Sequence, residues 1–240
     1  MTPAPPEGLS DAGRAAWTEL FGAPIAHRGL WSTKAPENTL SALADAMEAG
    51  YGVEFDVRLS SDGVPVVFHD EDLSRMTAEN GRLEDCTARD LSLTRVGGLE
   101  TIPTLGEAIG VVNGRRLALV ELKPAGDPDY LVERTLDLLE DYQAPFALIS
   151  SDPAVHASLV RRRPDVLRGV HIAASDKEAQ AAQTVQAHFI LPALDALRRP
   201  ATLALRKAGA PAIAWTSRTP REHARALEWA DNVIFEGFRP

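Results

Sequence analysis

The sequence predicts an α/β fold in which eight parallel strands close into a TIM-type (β/α)8 barrel. Three observations carry that expectation. Short β-like runs alternate with amphipathic helical patterns and recur roughly every 20 to 25 residues. Strand ends fall at Arg28, Asp56, Lys123, Ser150, Ile172, Pro192, Thr216 and Gly237, which makes eight, the number that closes a barrel. The 240 residues fit one barrel of about 250, and no linker-like stretch divides them, so a single domain over 1–240 is expected. An open, doubly wound sheet is the alternative use of the same units.

A Pro-rich start leads into a helix expected over about 9–21, with Ser10 or Asp11 as its N-cap. The first strand ends at His27-Arg28, and a helical pattern follows at 39–49. Runs at 118–122, 146–149, 170–172, 189–191, 213–215 and 233–235 read as later strands. Helical patterns occupy 104–112, 128–142, 153–162, 176–185, 200–208 and 220–230, several opening on Pro or Asp as N-termini do. Repetition of this kind requires right-handed crossovers and hence parallel strands.

The rhythm breaks between residues 57 and 103. Ser60-Ser61-Asp62-Gly63 is a strong turn signal between the runs 57–59 and 64–68, which together read as a hairpin above the rim. Its return arm would bring His69 back beside Glu54 and Asp56. The other reading makes 64–68 a barrel strand and shifts the count by one. Residues 71–101, polar and glycine-containing, read as a small insertion over the barrel mouth.

Composition narrows the function. A net charge of −9 and a pI near 5.2 oppose nucleic-acid binding, because phosphate affinity needs clustered cations. An acidic chain that binds a phosphate ester must gather positive charge locally, from a metal or from a few Arg and Lys. Cys86 is the single cysteine, so neither an internal disulfide nor a thiolate metal cluster is available. Residues 1–13 lack a basic stretch followed by an apolar core, and no run reaches the ~18 apolar residues of a membrane span. A soluble, cytoplasmic protein without stable membrane association is therefore expected. Neither GxxxxGK[ST] nor a strand-linked GxGxxG occurs, so nucleotide-loop chemistry has no support.

Barrel enzymes carry their chemistry at the C-terminal ends of the strands. Here those ends hold His27 and Arg28, Glu54 and Asp56, Glu121 and Lys123, Ser150 and Ser151, and Trp215. Glu54 with Asp56, and Glu121 with Lys123, are spaced i, i+2 and so share a strand face. Charges in apolar runs are costly to bury alone. Three converging carboxylates without histidine or cysteine ligands suit one hard divalent cation, Mg²⁺ or Ca²⁺. A plain set of rim ion pairs with Arg28 and Lys123 is the competing explanation.

These residues also sit in an ordered set of short motifs. Ile25-Ala26-His27-Arg28-Gly29 is followed by Pro36-Glu37-Asn38-Thr39, Glu54-Phe55-Asp56-Val57, Asp62-Gly63, His69-Asp70, Ile102-Pro103-Thr104-Leu105 and Glu121-Leu122-Lys123-Pro124. The set resembles the glycerophosphodiester phosphodiesterase family in its cytoplasmic bacterial form. It is dense over about residues 25–124 and thinner afterwards, at Ile149-Ser150-Ser151 and Ala214-Trp215-Thr216. The resemblance implies a TIM barrel with an insertion after the His-Asp motif, and metal-dependent hydrolysis of a small glycerophosphodiester to glycerol 3-phosphate and an alcohol. It implies Glu54, Asp56 and Glu121 as metal ligands, His27 and His69 as the acid–base pair, and Arg28 and Lys123 as phosphate ligands. Trp215 would wall the pocket, and Glu37 would touch substrate or support the metal site.

Of the other histidines, His156 and His223 read as surface residues of helices and His188 as structural. His171, one residue before a strand end, is not counted in the site. Two positions depart from the family pattern: Arg218 stands where Asn is usual, and Phe235-Glu236 where Thr-Asp is usual. Both fall at the rim and bear on the choice of alcohol. A related barrel phospholipase or sphingomyelinase D-like lyase, and a diester-binding protein without turnover, are the rival readings. Oligomeric state has no signature in the sequence.

Overall fold

A computed structural model of the chain describes residues 3–172 and 185–240. Strands in chain order are β1 (Ile25–His27), β2 (Gly52–Leu59), β3 (Pro65–Val67), β4 (Arg95–Val96), β5 (Glu100–Thr101) and β6 (Ala118–Leu122). They continue as β7 (Phe146–Ser150), β8 (Arg168–Ile172), β9 (Phe189–Pro192), β10 (Ile213–Ser217) and β11 (Asn232–Phe235). Hydrogen bonding runs β10-β11-β1-β2-β6-β7-β8-β9, with every one of these neighbours parallel. Two parallel bridges, Ile190 to Ala212 and Ala193 to Trp215, span the remaining seam between β9 and β10. The ring therefore nearly closes on eight strands, and the open doubly wound sheet is ruled out.

The helices are α1 (Asp11–Glu19), α2 (Leu40–Glu48), α3 (Ala88–Leu91), α4 (Leu105–Val112), α5 (Pro128–Leu139), α6 (Pro153–Arg162), α7 (Pro200–Lys207) and α8 (Pro220–Ala226). Ser10 caps α1 through the Gly13 amide, and Thr104 with Glu107 forms a reciprocal capping box on α4. Pro opens α5, α6, α7 and α8, where its missing N–H has no intrahelical partner to lose. The helix expected over 176–185 lies outside the described residues, save Val185.

Strand alternation sorts side chains into two cores. Val53, Phe55 and Val57 of β2 point outward and pack with Leu43 and Met47 of α2 and Leu105 and Ala108 of α4. Ile25, Leu119, Ile149, Phe189, Leu191, Ile213 and Ile234 fill the barrel interior. Leu9, Ala16, Trp17 and Leu20 join that interior cluster, so α1 plugs the base of the barrel. Buried Asn232 ties the plug down by donating to the carbonyls of Leu20 and Ala23 at 2.8 and 2.7 Å. The apolar interior leaves one end for polar chemistry.

β3 is off the barrel path and pairs antiparallel with the end of β2, Val57 opposite Val67. The hairpin reading of residues 57–68 thus holds, and the barrel count stays at eight. Gly63 turns the chain with φ +76°, and any Cβ there would strike the Tyr130 hydroxyl. Beyond it, a 3-10 turn at Leu83–Asp85, α3 and the β4–β5 hairpin gather their own core of Leu73, Leu83, Leu91, Val96 and Ile102 against Val66 and Phe68. The insertion packs on the hairpin arm and reaches the first turn of α2, where the Ser41 amide donates to Glu100 Oε2 at 3.2 Å.

Candidate active site

The same alternation that fills the barrel places the polar residues at its mouth. His27 lies two residues beyond interior Ile25, Glu121 two beyond Leu119, Ser151 two beyond Ile149, and Trp215 two beyond Ile213. Together with Arg28, Glu54, His69, Lys123 and His171 they line a cavity of about 250 Å³ at the strand ends. Seven sequence-predicted residues thus meet there. Glu37 and Asp56 do not line it, although both touch residues that do.

Arg28 follows β1 in a left-handed conformation, φ 57°, and Gly29 continues it at φ 83°. A Cβ on Gly29 would come within 2.6 Å of the Ala42 carbonyl carbon, so only glycine lets this loop lie on α2. The resulting bend turns the Arg28 amide onto Glu54 Oε2 at 3.0 Å. Asn38 braces the floor of the site, donating to Asp56 Oδ2 at 2.8 Å and accepting from the Asp56 amide at 3.3 Å.

Glu54, Asp56 and Glu121 bring ligand oxygens within 4.8 Å of one another, and all three side chains are buried. Burial, then the crowding by Asp56 and Glu121, holds the Glu54 carboxyl well above the usual carboxylate range. Burial opposes ionisation of Asp56 as well, but Lys123, His69 and Arg28 overcome it and hold that carboxyl low. The ion-pair explanation is partly realised: Lys123 Nζ is 3.0 Å from Glu121 Oε1 and 3.3 Å from Asp56 Oδ1, and Arg28 Nε is 3.4 Å from Asp56 Oδ2. It does not close the charge balance. Three carboxylates face two cations, Arg28 is shared with Glu37, and Glu54 Oε1 is buried with no hydrogen-bond partner. An all-oxygen donor set with an unsatisfied buried oxygen fits a hard divalent cation.

Each lining imidazole on the acid–base list is backed by a carboxylate. His27 Nδ1 donates to Glu236 Oε2 at 2.6 Å, and Glu236 Oε1 accepts from Arg218 Nε at 2.7 Å. His69 Nδ1 donates to Asp70 Oδ1 at 2.5 Å, and Asp70 is paired with Arg75. With Nδ1 committed to a carboxylate, Nε2 is the nitrogen left for a ligand in both rings. His27 Nε2 is 3.9 Å from Glu54 Oε2. Burial lowers the His69 pKa; Asp56 opposes that shift, while Lys123 and Arg28 add to it. His69 is therefore largely neutral at pH 7.

Glu37 accepts from Arg28 Nη1 at 2.7 Å and from Arg75, and those two cations hold it ionised against its burial. It supports Arg28 from behind the cavity wall. The Trp215 indole donates to the Leu191 carbonyl at 2.7 Å, and its ring stands 5.0 Å from that of His171.

Three residues at the site are not among those the sequence reading assigns to it, although Glu236 is expected at the rim. His171 lines the cavity, and its spacing from interior Leu167 and Gly169 carries the signal, since four residues along a strand return to the same face. Glu236 is likewise two residues beyond interior Ile234. Arg75 has no such signal. Two surface assignments are corrected. His156 is fully buried beside Val155 and Leu159 on the inward stripe of α6, with Nε2 3.0 Å from the Ser150 carbonyl. His223 is half-buried, edge-on to Phe235 and Phe238. His188 is structural as expected: its Nδ1 accepts from the Arg168 amide at 3.0 Å, and burial beside Arg168 holds its pKa down at about 4.

A family model described as the glycerophosphoryl diester phosphodiesterase family matches residues 27–235. The chain belongs to that family. Among curated members, a glycerophosphodiester phosphodiesterase of Caldanaerobacter subterraneus is 38% identical over 116 residues, 45% of this chain and 42% of the relative. Glycerophosphodiester phosphodiesterase 1 of Rattus norvegicus is 45% identical over 95 residues, 35% of this chain and 28% of the relative. The matched segments thus span less than half the length of either relative. Solved structures align over more. An Oleispira antarctica phosphodiesterase, determined with its product sn-glycerol-3-phosphate, superposes with TM-score 0.82 at 28% identity, over 89% of this chain and 92% of that one. The glycerophosphodiester phosphodiesterase of Thermotoga maritima gives 0.73 at 26%, over 89% and 94%. The barrel is therefore that of the family. No helix among the described residues is long and apolar enough to cross a membrane.

Proposed function

We propose that this chain hydrolyses small glycerophosphodiesters to glycerol 3-phosphate and an alcohol, with His27 and His69 as the acid–base pair beside one divalent cation. The observation that carries the reading is that both imidazoles, each oriented by its own carboxylate, line one cavity with members of the buried carboxylate cluster. Glu54, Asp56 and Glu121 would hold Mg²⁺ or Ca²⁺. When bound, that ion supplies positive charge against the nonbridging oxygens of the phosphodiester.

The remaining chemistry falls to the chain's own groups. Arg28 and Lys123 oppose the phosphate charge, and Trp215 walls the pocket. Glu37 acts through Arg28. His69, held neutral by burial, suits the first base: its Nε2 takes the proton of the attacking glycerol hydroxyl as the new P–O bond forms. His27 gives a proton to the alcohol oxygen as the old P–O bond breaks. In the second step water opens the cyclic product, the two imidazoles exchange roles, and glycerol 3-phosphate is released.

Residues 1–240 would form one such domain, with 71–101 as an insertion flanking its mouth. The site would serve a soluble small molecule in the cytoplasm, with neither nucleic acid nor membrane as partner. The net charge of −9 supports the first exclusion. A panel of glycerophosphodiesters assayed with Mg²⁺ and with Ca²⁺, products read by phosphorus NMR, tests the reading. Release of glycerol 3-phosphate that EDTA abolishes is expected; binding without turnover under either metal would contradict it.

A further inference from the structure

Arg75 belongs to the insertion and lies outside the cavity, yet it touches two side chains that each support a different part of the site. Its Nη2 donates to Glu37 Oε1 at 2.7 Å and to Asp70 Oδ1 at 3.2 Å. Its Nη1 donates to Glu37 Oε2 at 3.3 Å, and its Nε to Asp70 Oδ2. Glu37 in turn accepts from Arg28, and Asp70 from His69. One guanidinium therefore closes a chain of contacts from His69 on the hairpin arm to Arg28 on the loop after β1.

We propose that Arg75 is the positioning residue of this site, orienting His69 through Asp70 and Arg28 through Glu37 at the same time. This rests on the roles proposed above for His69 and Arg28. The planar fork has enough fixed donors to serve two carboxylates; an ammonium at the same place is a single point charge. Arg75 is partly exposed, and an isolated pair so placed would count for little. The network differs because both carboxylates are partly buried and each is already committed to a site residue. Without the fork, Asp70 is free to rotate away from His69 Nδ1, and Glu37 draws Arg28 toward itself alone. The insertion then does more than cover one flank. It fixes the imidazole and the phosphate cation relative to each other.

The test compares R75M and R75K with D70N and E37Q. Two readouts need no turnover: the ¹⁵N spectrum of His69, which reports the ring tautomer, and calorimetric binding of glycerol 3-phosphate with Mg²⁺ present. D70N should disturb the tautomer alone and E37Q the binding alone. R75M should do both, mixing the His69 tautomers and weakening glycerol 3-phosphate by about 10-fold, with kcat down by a similar factor. Adding R75M to E37Q should weaken binding no further, while kcat still falls. R75K keeps the charge and should stay folded even if R75M does not, restoring at most one of the two readouts. Wild-type values of both in R75M, or in R75K should R75M not fold, would overturn the proposal. If the wild-type protein turned over no glycerophosphodiester, the functional reading would fall, and the His69 spectrum would still judge Arg75.

Discussion

At the mouth of the barrel the two imidazoles are held by unequal partners. His27 and Glu236 sit in a nearly closed setting, whereas His69 and Asp70 are more open to solvent. Removing either carboxylate's charge should leave the ring in place but free its tautomer. E236Q and D70N are each expected to lower kcat by about 10- to 100-fold with far-UV spectra unchanged. The pH profile adds a sign. Because burial lowers the His69 pKa, its neutral form persists below the usual imidazole value near 6.5, and kcat should fall only at more acidic pH. Asp70 raises that pKa through its hydrogen bond, so D70N should shift the acid limb further down. An unmoved limb in D70N would argue that His69 is not the group titrating. Glu236 and Arg218, the two positions where the sequence reading expects a departure from the family pattern, form an ion pair with each other. That pair stands directly behind His27.

Among the elements, the β2–β3 hairpin bears most on the proposed function, because its return arm delivers His69 to the mouth. Its turn depends on Gly63, which combines positive φ with contact against Tyr130. G63A should cost about 1–3 kcal/mol of stability and lower kcat disproportionately, since the displaced arm carries the imidazole. G63A/Y130A should relieve the collision but not the dihedral strain. Urea denaturation separates the two, and a fully restored double variant would show that sterics alone were at stake. The hairpin was legible beforehand, because Asp62-Gly63 between two apolar runs is a local signal. The barrel order was legible for a similar reason, as strand and helix periods are written in neighbouring residues. His156 was not, since its place on the inward stripe of α6 is only distinguishable once α6 is packed.

For the whole molecule, the acidic cluster sets the balance between stability and metal. Glu54 has a raised pKa in the folded, metal-free protein, so its contribution to stability is full below the unfolded value near 4.5 and is lost as pH rises through the raised one. Asp56 has the opposite sign: its contribution is present above its unfolded value near 3.8 and is lost as pH falls. On the proposed metal site a divalent cation would replace the proton on Glu54, so Mg²⁺ or Ca²⁺ should raise Tm more at pH 8 than at pH 5. At about 100 times Kd the gain is about 2.7 kcal/mol, on the order of 5–10 °C for a chain of this size. A Tm indifferent to both ions at both pH values would contradict the cluster's role. The carboxylates themselves were legible as charges in apolar strands. Arg75 was not, because it meets Glu37 across a gap in sequence that only the insertion's fold closes.

His27 and His69 are proposed to drive metal-dependent cleavage of a glycerophosphodiester together. The most direct measurement follows glycerophosphocholine by phosphorus NMR with Mg²⁺ present, using wild-type, H27A and H69A proteins of matched Tm. The wild type should release glycerol 3-phosphate, and each variant should lose about 10²- to 10⁴-fold in rate. Wild-type turnover in either folded variant would contradict the acid–base pair.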